Sequence, residues 1–230
     1  MASRLQMQTS SQSKTEHFRH ELGLEVNSLN PSPKICSIFL VQHGSTDWSD
    51  AKRLQGWGSV NLNTKGIEQL TKRAEVLKNE NIQAIYSSTI ASAIESAQIL
   101  RKQVSCPLVG MNELRGEFHG KFEGFTKDQY TQEKHFQEYD KLSPHEEIFF
   151  PCGEEGESKA DVARRAVPAL KHIAQSHIGQ NVVVVTHGAL FKLFNYYLGN
   201  FTEEEGTKGI PYGDMMRIEA DADHVYLKKI

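Results

Sequence analysis

The sequence predicts an α/β fold of three layers, a mainly parallel sheet flanked by helices, with an insertion over one end of the sheet. Three observations predict it. From Ile35 onward, apolar runs of strand length alternate with segments whose apolar residues recur at helical spacing. Two of those runs, Ile38-Phe39-Leu40-Val41-Gln42 and Val182-Val183-Val184-Val185-Thr186, are each followed by His-Gly. Between Glu113 and Cys152 the alternation lapses into a stretch broken by Gly120, Gly124, Pro144 and Pro151, which reads as the insertion.

Residues 1–34 form a polar N-terminal extension rich in Ser, Gln and Asn, ending in Asn30-Pro31-Ser32-Pro33, a composition for turning backbone. Within it His17 to Val26 suits a short helix, and the segment reads as a loosely docked arm. The domain proper spans 35–230. Ser37 to Gln42 is its first strand, and Thr64 caps a helix with Ile67, Leu70, Ala74 and Leu77 on one face. Gln83 to Ser87 is a second strand. Thr89 to Lys102 is a helix, followed by a short strand at Leu108 and Val109. One helical stretch is expected near Lys127 to Leu142. A helix from Ser158 to Ser176 contains Pro168, which removes a backbone donor and should kink it. After the valine strand, His187-Gly188 leads into a helix ending at Gly199. Met215 to Glu219 and Val225 to Leu227 read as a closing hairpin.

At 230 residues, with 38% hydrophobic and 24% charged, the chain can bury one sizeable core. A formal net charge of −3 argues against nucleic acid or an anionic membrane as partner and points to a small molecule. No run approaches the length of a membrane span, and the first thirty residues lack a signal's apolar core, so a cytoplasmic setting is expected. Cys36, Cys106 and Cys152 are too few and too scattered for a disulfide framework. His17 and His20 lack the Cys or carboxylate companions of a metal site, and neither a Walker loop nor a Gly-x-Gly-x-x-Gly run is present. No cofactor and no metal are predicted. Phe191, Phe194, Tyr196, Tyr197 and Leu198 crowd the last helix; packing is their expected role, with any exposed part available to a homodimer contact.

Ligands of open parallel sheets sit beyond the carboxyl ends of the strands, where His43 and His187 both lie. One imidazole can attack phosphorus and carry the phosphoryl group while the other donates a hydrogen bond to a non-bridging oxygen. Gly44 and Gly188 permit close approach of backbone. The segments Leu40 to Trp48, Arg53-Leu54-Gln55-Gly56-Trp57, Ile85-Tyr86-Ser87-Ser88, Gly120-Lys121-Phe122-Glu123-Gly124, Gly156-Glu157-Ser158, Pro168-Ala169-Leu170 and Val185-Thr186-His187-Gly188 follow one another in a telling order. Over Ile35 to Ile230 they resemble the histidine phosphatase superfamily, in its phosphoglycerate mutase-like branch. The resemblance implies His43 as the nucleophile that becomes phosphohistidine and His187 as its partner. It also implies Gln42, Gly44, Ser49, Gln55, Gly56, Ser92 and Gly188 around the substrate, a small phosphorylated molecule or other small anion.

The chain departs from that family's pattern at four places. Gln42 stands where an arginine precedes the nucleophile, Ser49 where asparagine follows the tryptophan, and Ser92 where a second arginine opens a helix. Gly116 stands where a glutamate donates the proton, with Glu117 one residue later as its replacement. An arginine can be worth about 10³ to 10⁵ in the rate of phosphoryl transfer. Losing two cations also removes something that disfavours imidazolium, so His43 is expected to protonate more readily than in relatives that keep them. Arg115, Lys121 or Arg19 would be alternative sources of charge, although Arg115, Lys121 and the Arg164-Arg165 pair read as solvated, and His119 as a surface residue. Two functions compete: hydrolysis of a phosphomonoester through phosphohistidine at His43, weakened by these losses, and a catalytically degenerate binding or regulatory protein on the same fold. Mutase chemistry is less favoured, because the chain ends soon after the closing hairpin.

Overall fold

The computed structural model describes residues 13–26, 34–199 and 209–227. The Pro31–Pro33 turn and the polar residues before 13 lie outside them. The described part of a first helix (α1) covers 13–21 and leads into strand β1 (Leu24–Val26). Then come β2 (Cys36–Gln42), a one-turn helix α2 (Asp47–Asp50), α3 (Thr64–Leu77), β3 (Ile82–Ser88), α4 (Ala91–Val104) and β4 (Leu108–Met111). The insertion holds two 3₁₀ turns and three short helices, α5 (Lys127–Tyr130), α6 (Lys134–Tyr139) and α7 (Pro144–Glu147), where the sequence suggested one. Separate N-caps at Thr126, Glu133 and Ser143 divide that stretch. Helix α8 (Lys159–Ser176), β5 (Asn181–Thr186), α9 (Gly188–Leu198), β6 (Met215–Ala220) and β7 (Val225–Leu227) complete the order.

The seven strands form one sheet in the order β1-β7-β6-β2-β5-β3-β4. Strands β2, β5, β3 and β4 are mutually parallel, whereas β6 runs antiparallel to both β2 and β7, which gives the expected closing hairpin. Alternation along each strand sends side chains to two cores. Ile38, Leu40, Val182 and Val184 pack with α8 and α9, while Phe39, Val41, Val183 and Val185 pack with α3 and α4. Because both faces are covered, β5 is apolar at every position from Val182 to Val185 and all four are fully buried.

Asn63, one residue earlier than the expected Thr64, caps α3 by accepting the Gly66 N–H at 2.9 Å. Helix α8 holds Pro168 inside it as the sequence placed it, with Ser158 and Asp161 closing a capping box at its start. The N-terminal arm is not loosely docked. β1 pairs in parallel with β7 at the sheet edge, and Phe18, Leu22 and Leu24 belong to the core under α8 and α9. The aromatic residues of α9 are also internal: Phe191, Phe194, Tyr196 and Leu198 are buried and Tyr197 packs against them, so they present no exposed face for a dimer. Phe18, at 2% exposure, gives the arm a measurable weight. Phe18→Ala is expected to lower unfolding free energy by about 3 to 5 kcal/mol in urea titrations, as for a core phenylalanine; a change near zero would return the arm to a surface role.

Candidate active site

Strand register assembles the centre of the site. β2 and β5 pair in parallel with Gln42 opposite Thr186, so the next residue of each strand, His43 and His187, emerges at the same edge. Their rings lie 4.8 Å apart between centroids, and the backbone N–H of His43 donates to the Thr186 carbonyl at 3.1 Å. Gly213 N–H bonds the carbonyls of Gln42 and His43, bringing Tyr212 to 5.3 Å from the His43 ring.

His43 is 4% exposed, and its Nδ1 lies 2.8 Å from the Gly44 carbonyl. A carbonyl only accepts, so Nδ1 carries the proton and the lone pair of the neutral ring resides on Nε2. Burial pushes the pKa of His43 down to about 4, with the Gly44 bond opposing weakly. Loss of solvent thus keeps the ring neutral even with no arginine at positions 42 and 92. A neutral imidazole with Nε2 unprotonated is the nucleophilic form.

His187 is held from two sides. Its Nε2 lies 2.8 Å from Ser88 Oγ, which already accepts the Ile90 N–H at 3.2 Å and so has its own proton to offer. That arrangement leaves Nδ1–H of His187 as a donor. On the other side is Gly116, where a Cβ would sit 2.9 Å from His187 Cγ and 3.0 Å from its Cβ. Glycine is therefore required by the present position of the imidazole, and a glutamate here would displace it. Arg165 fixes that loop by donating to the carbonyls of Glu113, Arg115 and Gly116 at 2.9, 2.6 and 2.7 Å, while its guanidinium pairs bidentately with Glu157. The sequence suggested a solvated Arg165; its long side chain instead reaches from α8 under the loop. Burial, His43 and Arg165 all push the pKa of His187 down.

A cleft of about 530 Å³ opens over the two rings, lined by Gln42, Gln55, Gly56, Glu117 and Gly188 and also by Arg53, His119, Lys192, Ile210 and Tyr212. Gly44, Ser49 and Ser92 are outside the lining. Gly44 faces α3, where an added Cβ would meet the Gly66 carbonyl at 2.7 Å; Ser49 closes the capping box of α2 with Thr46. Ser92, fully buried, accepts from Gln55 Nε2 at 3.2 Å, while Gln55 Oε1 accepts from Thr46 Oγ1 at 2.9 Å, so these groups orient the Gln55 amide. Gly56 adopts a φ of +51°, and a Cβ would fall 1.9 Å from Glu123 Oε1, which accepts the Trp57 N–H.

None of the three alternative cations proposed from sequence lines the cleft. Arg115 stacks on Trp57 at 4.9 Å and donates to Thr89, so it is packed, not solvated. Lys121 pairs with Glu154 and Glu155 on the surface, and Arg19 serves Glu16 and the Leu24 carbonyl. Lys192 and Arg53 were missed as site residues, although Arg53 stands in the Arg53-Leu54-Gln55-Gly56-Trp57 segment; for Lys192 only its position one turn beyond His187-Gly188 was available as a signal.

Glu117 is 8% exposed, and its Oε1 has no hydrogen-bond partner. It belongs to a polar cluster with His119, which is half-buried where a surface residue was expected, and Cys152, whose Sγ lies 3.0 Å from His119 Nδ1. The three side chains offer ligand atoms within 4.8 Å of one another. Burial pushes the pKa of His119 down, against the opposing charges of Glu117 and Glu123 and with smaller help from Lys192 and Lys159.

Neutral burial of His43 carries a pH signature. As pH falls from about 6.5 toward 4, the unfolded chain takes up a proton at residue 43 that the folded chain refuses, so folded stability declines. The loss from this residue reaches roughly 3 kcal/mol and stops below the lower value, and His187 acts in the same direction. Urea unfolding between about pH 7 and 5 should show this decline, with a shallower slope in His43→Asn; equal slopes would mean that the ring is not desolvated.

Comparison with known proteins agrees with this arrangement. The family model for the histidine phosphatase superfamily (branch 1) matches residues 38–230. A metal-independent phosphoserine phosphatase of Arabidopsis thaliana is 34% identical over 162 residues, covering 69% of this chain and 67% of that protein. Phosphoglycerate mutase-like protein 4 of the same plant is 31% identical over 166 residues, covering 67% of each. Among solved structures, Bacillus stearothermophilus YhfR superposes with a TM-score of 0.71 at 28% identity, over 84% of this chain and 95% of its own. With two His-Gly strand ends facing each other across one cleft and the family pattern extending over most of the sequence, the chain belongs to the histidine phosphatase superfamily, branch 1.

Proposed function

We propose that this chain hydrolyses a small phosphomonoester through a phosphohistidine on His43. The observation that carries the reading is the protonation state of that ring: Nδ1–H is committed to the Gly44 carbonyl, leaving the Nε2 lone pair available. Nε2 attacks phosphorus, the ester P–O bond breaks, and Glu117 gives its proton to the departing alkoxide. Water then attacks phosphorus and gives its proton to Glu117; the P–N bond breaks with its electron pair returning to Nε2, inorganic phosphate leaves and neutral His43 is restored. His187 Nδ1–H and the N–H groups of Gly188 and Ala189, at the start of the eleven-residue α9, donate to the non-bridging oxygens. The phosphoserine phosphatase of 34% identity supports hydrolysis.

The rate is expected to be low. Gln42 lines the cleft without charge, and hydrogen bonds to a charged partner contribute about 1.5 to 3 kcal/mol against about 1 for neutral pairs. A second reading, a catalytically degenerate binding or regulatory protein, has one observation in its favour: the cleft residue that precedes His43 is the neutral Gln42.

Rapid-quench labelling with a radiolabelled phosphomonoester separates the two. Wild type should yield an acid-labile, base-stable phosphoramidate that is absent in His43→Ala, with turnover reduced by about 10³-fold or more. Turnover without label, or label without dependence on His43, would overturn the mechanism; neither label nor turnover would favour the binding protein. Gln42→Arg should raise the rate by about tenfold. Gly116→Glu should lower it, despite restoring an acid, because its Cβ would meet the His187 ring at 2.9 Å.

A further inference from the structure

Beside the acid of the proposed reaction lie two donors that the reaction does not use. Among the described residues, the carboxylate oxygen of Glu117, the imidazole nitrogen of His119 and the sulfur of Cys152 all lie within 4.8 Å of one another. Cys152 Sγ is 3.0 Å from His119 Nδ1, and Glu117 Oε1 is 4.0 Å from the same nitrogen. Ligands of one tetrahedral zinc ion stand roughly 3.3 to 3.7 Å apart, a range that these two distances straddle. An independent observation points to a ligand: Glu117 is buried, yet its Oε1 has no hydrogen-bond partner. A buried carboxylate oxygen left unpaired is costly, and a cation shared by the three side chains would offset that cost.

The donors sit on two segments fixed to each other through the backbone. Lys121 N–H donates to the Glu154 carbonyl at 3.1 Å, and Glu157 N–H to the Phe118 carbonyl at 2.7 Å. Gly153 packs so closely that a Cβ there would fall 2.0 Å from the His119 carbonyl oxygen, which holds Cys152 beside His119. Cys152 and His119 are 33 residues apart and leave no motif, which is why the sequence predicted no metal. A set of one thiolate, one imidazole and one carboxylate suits zinc, whereas magnesium and calcium take oxygen ligands. Deprotonated Cys152 and Glu117 together balance the two charges of the ion. Of the lysines whose charge opposes a cation here, Lys159 is already paired with Glu147 at 3.4 Å, and the single charge of Lys192 faces two anionic ligands.

We propose that Glu117, His119 and Cys152 form a zinc site whose fourth position is open toward the cleft, which Glu117 and His119 line. Binding releases the Cys152 thiol proton to solvent and holds Glu117 as a coordinated carboxylate. The site stands apart from the phosphatase reading; its consequence rests on that reading. A coordinated Glu117 has no proton to give the departing alkoxide, so zinc switches hydrolysis off and its removal restores it.

Metal-free chain is titrated with zinc against a chromophoric chelator and, separately, with cobalt(II), whose bond to a thiolate gives a near-ultraviolet charge-transfer band. One equivalent of each metal should bind, with the cobalt band present and the melting temperature raised by zinc. Cys152→Ser should abolish the band, and both Cys152→Ser and His119→Gln should weaken zinc by about 100-fold or more, the upper end of what loss of a mere supporting partner costs. Cys106→Ser should change neither. His119→Gln keeps the thiol and carries the test if Cys152→Ser does not fold. No thiolate band in wild type, a band that persists in Cys152→Ser, or zinc held as tightly by His119→Gln would overturn the site. Turnover of ethyl phosphate, an alkyl ester whose leaving group needs a proton, is then followed with and without one equivalent of zinc. It should fall by about 10²-fold in wild type, recover with EDTA and hold in Cys152→Ser. Intact binding with turnover unmoved or raised by zinc would uphold the site and overturn the switch. Intact binding with no turnover by the metal-free wild type would uphold the site and overturn the phosphatase reading.

Discussion

The pairing of β2 with β5 in parallel, with Gln42 beside Thr186, is the constraint on which the site depends. A slip of one residue would reverse which side chains face each core and would separate the two histidines along the sheet edge. The register is held because both strands are buried on both faces, Ile38, Leu40, Val182 and Val184 entering one core while Phe39, Val41, Val183 and Val185 enter the other. The same edge receives the loop carrying Gly116, pulled down by Arg165, and the Gly213 turn carrying Tyr212. Packing of valines, far from any ligand, thereby sets a 4.8 Å separation between two imidazoles.

Desolvation dominates the electrostatics of this cleft. With glutamine before His43 and serine at position 92, one would expect an imidazole freed to accept a proton, yet burial alone holds His43 neutral. The Gly44 carbonyl then selects the tautomer, so a backbone group and the absence of water together prepare the ring. Positive charge is present in the cleft at Lys192 and Arg53, and Arg165 works from behind the loop as a clamp.

Most of the fold was legible because its signals are local and repetitive. Strand-length apolar runs, capping residues and a glycine after α9 mark β2, β3, β5, α3, α8 and α9 to within a few residues. The arm was misjudged because its polar composition concealed Phe18, Leu22 and Leu24, which are spaced to enter a core built by residues over a hundred positions away. The insertion was misjudged as one helix because α5 ends at Thr131 and α6 starts afresh at Glu133, a break in a pattern that propensity alone would join. Within the site, the paired His-Gly motif was readable, whereas Arg165, His119 and Cys152 looked like ordinary surface or packing residues.

By itself the sequence determined the scaffold, the two histidines at strand ends and the loss of charge at positions 42 and 92, since these are properties of residue identity and short-range spacing. Tertiary structure alone decided that His43 is neutral, that Gly116 is required by the ring of His187, and that Lys192 lines the cleft. The physical reason is that desolvation, steric contact and ion pairing depend on what surrounds a group in space, and those neighbours come from β2, β5, α8 and α9, segments separated by as much as 150 residues of chain.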